Sequence, residues 1–265
     1  MKAIFFLLRK IDKRQRLLMA VAIVVGFNLI VVLFPLSIAV YLLPLEILIV
    51  YLSTYIALLE DIEHIEWFVL FILPIYLAVS LVLFYYLLPV RWLTRIPFLA
   101  VLGVGMYASM LSVNIFNVGV EKSLPLYRAA YSVSNFLSLL IFFLFFTVLF
   151  SFRLHFLLNG FISLLLSWPL LFHNLWAANP KAVLEERVYK FATIIAILLA
   201  VAVLALNFMP IRTNIFALYA VAIVYLLSGL TQEIMTNTVF KERVKEYLIV
   251  FGMLSLLVFL TANWG

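Results

Sequence analysis

The chain has no cysteine among its 265 residues, which removes disulfides, thiolate metal ligands and thiol catalysis together and leaves the redox compartment open. Charge is also scarce. Asp, Glu, Lys and Arg make up 11% of the residues, hydrophobic types 68%, and the mean hydropathy is +1.24. Too little polar surface remains to coat a water-soluble domain, so the bilayer has to be the solvent. Signature motifs are missing too: there is no Gly-rich phosphate loop, no His-Glu-x-x-His helix, no Gly-x-Ser-x-Gly elbow and no pair of aspartates within an apolar stretch. Apart from Glu46 and Glu233, both read as lying near the ends of apolar stretches, no carboxylate falls at bilayer depth. That argues against a proton-coupled transporter.

What is present is a series of long apolar stretches, each near the ~20 residues a spanning helix needs. They cover 17–43, 44–59, 67–88, 97–116, 129–150, 154–177, 188–208, 211–230 and 247–262. The ambiguous part is 17–59, which reads as one span with a re-entrant piece or as two spans. Charge separates the readings. With two spans and the N-terminus inside, Lys2, Arg9, Lys10, Lys13, Arg14, Arg16, Lys122, Arg128, Lys181, Arg187, Lys190, Lys241, Arg243 and Lys245 are cytoplasmic, 14 of the 18 basic residues. Only Arg91, Arg95, Arg153 and Arg212 then lie outside; a single span would make the split 10 to 8. The positive-inside rule therefore predicts an all-α bundle of about nine spans, N-terminus cytoplasmic and C-terminus outside.

Residues 1–16 hold six basic residues around a short apolar core, Ala3 to Leu8, with no small-residue cleavage site. They read as an amphipathic interfacial segment leading into an uncleaved first helix, and 17–265 as one transmembrane domain. The net charge of +6 is explained by this placement: anionic headgroups, not nucleic acid, are the expected partner. Loops of about a dozen residues or fewer leave no room for a separate soluble domain.

The outer turns resemble one another. Tyr41-Leu42-Leu43-Pro44-Leu45-Glu46, Tyr86-Leu87-Leu88-Pro89-Val90-Arg91, Phe150-Ser151-Phe152-Arg153 and Met209-Pro210-Ile211-Arg212 each close an apolar stretch. Proline is favoured at the first position of a helix, where its missing N–H is not needed. This places the first break at Pro44 and makes Pro35 an internal kink. A duplicated hairpin and independent Pro-initiated turns both fit the pattern. Gly103, Gly105, Ala108, Ser109 and Ser112 form a small-residue stripe suited to close helix packing. With weaker faces at Ser132, Asn135 and Ser138 and at Gly160, Ser163 and Ser167, it points to spans four to six as the centre of the bundle.

Arg91, Arg153 and Arg212 stand on the side that the topology rule leaves poor in charge. Gathered with Glu46, their forked guanidinium groups would suit a phosphate or carboxylate; taken singly, each reads as an arginine snorkelling to headgroups. Glu46, two residues after Pro44, reads first as a first-turn carboxylate favoured by the helix dipole. His155 and Asn159, four residues apart beside Arg153, form a second polar cluster, about 27 Å from His173 and Asn174 at the other end of the same helix. The Glu60-to-Glu66 turn with His64 is a poor metal set, since zinc needs three or four suitable ligands. Asn28, Asn114 and Asn135 read as interhelical hydrogen-bonding groups. The mixed charges at 185–190 and 241–246 read as solvated helix ends.

At Arg91-Trp92-Leu93-Thr94-Arg95, Tyr107-Ala108-Ser109, Asn114-Ile115-Phe116-Asn117-Val118, Arg128-Ala129-Ala130 and Lys245-Glu246-Tyr247-Leu248 the chain resembles uncharacterised multi-pass membrane proteins of small-genome candidate-phylum bacteria. The resemblance implies a bacterial inner-membrane setting and no particular chemistry. The leading expectation is a non-enzymatic scaffold that partners another membrane protein or a second copy of itself, with no cofactor and no metal. Against it stand a binder or carrier of an anionic lipid at the arginine patch, and an enzyme using Arg153, His155 and Asn159.

Overall fold

A computed structural model describes residues 12–58, 68–89, 92–118, 124–180, 185–235 and 241–262. Among them every regular element is an α-helix: α1 (Lys13–Val31), α2 (Leu36–Leu58), α3 (Phe68–Tyr85), α4 (Trp92–Val118), α5 (Leu124–Ser151), α6 (Phe156–Ala178), α7 (Glu186–Leu206), α8 (Thr213–Met235) and α9 (Lys241–Thr261). All nine are long and apolar enough to cross a membrane. Many residues in them are β-branched or aromatic, yet in hydrocarbon the backbone has no water to bond, and a helix satisfies every N–H and C=O within itself.

The chain divides into two compact units, residues 1–137 and 138–265. In the first, α1 packs on α2 and α4, α2 on α3, and α3 on α4. The small-residue stripe lies on these seams. A Cβ on Gly103 would meet Val25 of α1 at 3.4 Å, and one on Gly105 would meet Leu77 of α3 at 3.2 Å. Ser109 and Ser112 are buried, and Ser109 Oγ donates to its own helix at Met106 O. In the second unit α6 packs on α7 and α8, α7 on α8, and α8 on α9. Gly160 and Gly229 let two of these pairs close: added Cβ atoms would lie 2.6 Å from Leu204 and 2.6 Å from the Tyr247 ring. In α9 Val258 is the buried side chain, and Met253 and Leu260 are 67% and 72% exposed. Such a helix is at ease only in an apolar solvent.

The first break is not at Pro44. It falls at 32–35, where Val32 N–H bonds Asn28 O and Phe34 N–H bonds Val31 O, and α2 opens with Ile38 and Ala39 N–H on Pro35 O. Pro44 lies inside α2. The two prolines exchange their expected roles, and Tyr86 braces the observed break. Its hydroxyl reaches back from the end of α3 to Val31 O at 2.9 Å and Phe34 O at 3.1 Å. It shares its one O–H between two carbonyls at the end of α1, adding to the bond Val31 O already accepts from Phe34 N–H. At the start of α1, Lys13 to Arg16 are already helical and Arg16 is 1% exposed, so the helix begins four residues before the expected 17.

Candidate functional site

Within the second unit, the turns that end α5 and α7 form one cleft of about 570 Å³, lined by Phe150, Arg153, Leu154, Asn159, Asn207, Met209, Ile211, Arg212, Thr213 and Phe216. Its floor is aromatic. Phe142, Phe146 and Phe150 stack at four-residue intervals along α5, and Phe150 meets Phe216 of α8 with ring centroids 3.6 Å apart. Side chains four apart share a helix face, so the apolar run of α5 builds this column directly.

Arg153 sits at the corner with φ 49°, a left-handed conformation uncommon outside glycine and worth about 1–3 kcal/mol of strain. Its N–H bonds Phe150 O at 3.3 Å. The turn thereby projects an exposed guanidinium beside the cleft instead of continuing α5. Arg212 precedes α8, and its carbonyl accepts Phe216 N–H. Both arginines line the cleft and are solvent-accessible. Neither makes a hydrogen bond or ion pair with a described residue, and five guanidinium N–H donors each remain for a ligand or water.

Asn159 is the polar group beneath them, 2% exposed. Its Nδ2 donates to Leu154 O at 3.3 Å and to Asn207 Oδ1 at 2.8 Å, and Asn207 Nδ2 in turn donates to Val203 O at 2.6 Å. Both amide NH₂ groups are thus used inside the unit, while Asn159 Oδ1 is buried with no hydrogen-bond donor. A buried acceptor without a partner is costly. An incoming O–H or N–H would satisfy it.

The geometry places Arg153, Arg212 and Asn159 around one cleft. His155 stands at the N-cap of α6, exposed and against the Phe156 ring at 4.5 Å, and is not among the lining residues. Arg91 and the 60–66 turn with His64 lie outside the described residues. Glu46 belongs to the other unit, inside α2 and 1% exposed, so the first-turn position expected for it is not the one it occupies. Asn207 was missed by sequence reasoning, although a signal exists. Asn159 and Asn207 lie 24 residues on either side of position 183, in the loop joining α6 and α7, and residues equidistant from a hairpin loop face each other. Arg95 is engaged elsewhere, Nε donating to Tyr85 Oη at 3.3 Å with the guanidinium 4.8 Å from the Trp92 ring centre.

At the opposite end of the unit, Arg243 Nη1 donates to Glu233 Oε1 at 2.6 Å, and Gln232 Nε2 reaches Asn174 Oδ1 at 3.5 Å. His173 and Asn174 are buried there. No group of three or more His, Cys, Asp or Glu suited to a metal occurs among the described residues.

Among the described residues, nine helices long and apolar enough to cross a membrane, with charged side chains near their ends except for Glu46 in the middle of α2, fit a multi-pass membrane protein of the helical class. Residues 52–261 match the family described as protein of unknown function DUF5656, and the chain belongs to that family. No curated protein matches it, and no solved structure does.

Proposed function

We propose that this is a multi-pass protein of the bacterial cytoplasmic membrane, N-terminus inside and C-terminus outside, whose outer cleft binds the phosphate or carboxylate headgroup of an anionic lipid or lipid-linked intermediate. One observation carries the reading: two arginines without partners among the described residues and a buried amide oxygen without a donor line the same cleft. Guanidinium forks match anionic oxygens, and the orphan Asn159 Oδ1 selects a headgroup bearing a hydroxyl or amine. The aromatic floor suits an acyl chain. Charge placement supports the orientation. In this unit Arg187, Lys190, Lys241, Arg243 and Lys245 stand at one end of the helices, against Arg153 and Arg212 at the other.

The scaffold reading, first on sequence, draws no comparable support. Its natural candidate surface is α9, and an apolar helix surrounded by lipid needs no protein cover.

The test is native mass spectrometry of the protein from nanodiscs containing equal phosphatidylglycerol and phosphatidylcholine. Wild type retains phosphatidylglycerol preferentially, and Arg153→Gln/Arg212→Gln loses the preference while melting at the wild-type temperature. An unchanged lipid profile in the variant, with a reproducible membrane-protein partner, would overturn the lipid site in favour of the scaffold.

A further inference from the structure

The first unit contains a second polar centre, independent of the cleft. Glu46 is the eleventh of the 23 residues of α2, about 15 Å from the helix start. It is 1% exposed, and neither Oε1 nor Oε2 has a hydrogen-bond partner. Beside it is the amide of Asn28 from α1, 0% exposed. One N–H of Asn28 Nδ2 donates to Val24 O at 3.0 Å, the other is directed to the Glu46 side, and Asn28 Oδ1 is buried without a donor. Three acceptor oxygens therefore gather from two helices, with one amide N–H of Asn28 as the donor left to share among them. Acceptors that face one another repel, and an ionised carboxylate so buried would be unstable by many kcal/mol without a counter-charge.

The helices packed on α2 supply no cation for the role. Arg95, the basic residue of α4, is engaged with Tyr85 and Trp92. Tyr86, at the end of α3, gives its single O–H to Val31 O and Phe34 O. Lys13, Arg14 and Arg16 stand at the far end of α1, Arg16 about 18 Å along the helix from Asn28. Tyr76 and Tyr107 complete the titratable side chains of α3 and α4, as Tyr51 and Tyr55 do those of α2 beyond Tyr41 and Glu46.

One added particle resolves all of this. We propose that Glu46 is a proton-binding site inside the membrane bundle, holding its carboxyl as the neutral acid with the O–H donated to Oδ1 of Asn28. The proton neutralises the charge, turns one acceptor into a donor and satisfies the Asn28 oxygen in the same step. Only the carboxyl O–H bond forms or breaks, with water as the donor and final acceptor of the proton. Pro44, two residues before Glu46, removes the N–H that would bond Val40 O, so the helix is weakened where a change of protonation would have to move it. Intramembrane carboxyl groups with such surroundings mark proton and ion pathways. The structure thereby removes the sequence argument against proton coupling, which had Glu46 near a helix end.

The test is infrared difference spectroscopy of the full protein in nanodiscs near neutral pH. Wild type minus Glu46→Gln is expected to show one carboxylic-acid C=O band, which shifts in D₂O and moves to higher wavenumber in Asn28→Leu, where the acceptor is gone. If Glu46→Gln fails to fold, the D₂O shift and the Asn28→Leu displacement of the same band carry the assignment. Absence of the acid band in folded wild type would overturn the proposal. So would its replacement by a carboxylate band on raising Na⁺ at constant pH, which would make the oxygens a metal-cation site instead.

Discussion

Gly160 controls how closely α6 and α7 approach, and so how Asn159 and Asn207 meet at the cleft. A Cβ there would lie 2.6 Å from Leu204 Cδ2 and 2.7 Å from Leu204 Cγ, whereas carbon atoms rest at about 3.5–4.0 Å. Gly160→Ala therefore asks for roughly 1 Å of movement from a branch point, not just a flexible tip, and overpacking of this kind costs about 1–3 kcal/mol. The better helix propensity of alanine returns about 1 kcal/mol. Gly26 and Gly252 are the internal controls, since nothing lies within 4 Å of their added Cβ and only the favourable propensity applies. Thermal unfolding in detergent should thus place Gly160→Ala about 1–3 kcal/mol below Gly26→Ala, with Gly26→Ala at or above wild type. Leu204→Ala in the Gly160→Ala background should recover part of the loss, as expected for residues in direct contact. If Gly160→Ala and Gly26→Ala melt together, the α6–α7 seam is not limited by this contact and the reasoning fails.

At the cleft, Arg153→Gln and Arg212→Gln should each weaken phosphatidylglycerol binding about 10-fold, the low end for charge-assisted hydrogen bonds at ~1.5 kcal/mol, because both side chains are exposed and screened; lipid titration in nanodiscs at two salt concentrations measures it. Arg243→Gln should destabilise the fold more than Glu233→Gln, by about 1–3 kcal/mol in chemical unfolding, since it removes the charge paired with a carboxylate that is 5% exposed while the reverse change removes the charge paired with an arginine that is 58% exposed. Tyr86→Phe should cost about 1 kcal/mol by removing the hydroxyl from Val31 O and Phe34 O. Burial, first, and then Tyr85 push the Tyr86 hydroxyl from its ordinary 10.0 up to about 12. The folded state then holds this proton more tightly than the unfolded chain, so stability present below pH 10 falls as pH rises toward about 12. Tyr86→Phe should show a smaller alkaline loss than wild type in a pH series of melting curves.

The sequence by itself determined the all-helical class and the number of apolar stretches long enough to cross a membrane. Hydropathy summed over some 20 residues is a local quantity, and an apolar run of that length satisfies its own backbone in hydrocarbon as a helix. The separation of Arg153 and Arg212 from the other charges was equally legible. Where α1 ends was not. Pro35 and Pro44 are both able to start or kink a helix, and the break observed at 32–35 is braced by Tyr86, whose hydroxyl donates to Val31 O from 55 residues away. That break moved Glu46 from the expected helix end into a buried interior. The cleft has the same origin. Arg153 and Arg212 are 59 residues apart in sequence, and their common position follows from α6 and α7 closing over Gly160. The Asn159–Asn207 bond and its leftover oxygen exist only once that seam forms. Apolar patterning is written residue by residue, while the partner of a polar group in a membrane is set by which helix face arrives beside it. Tertiary packing alone decided that.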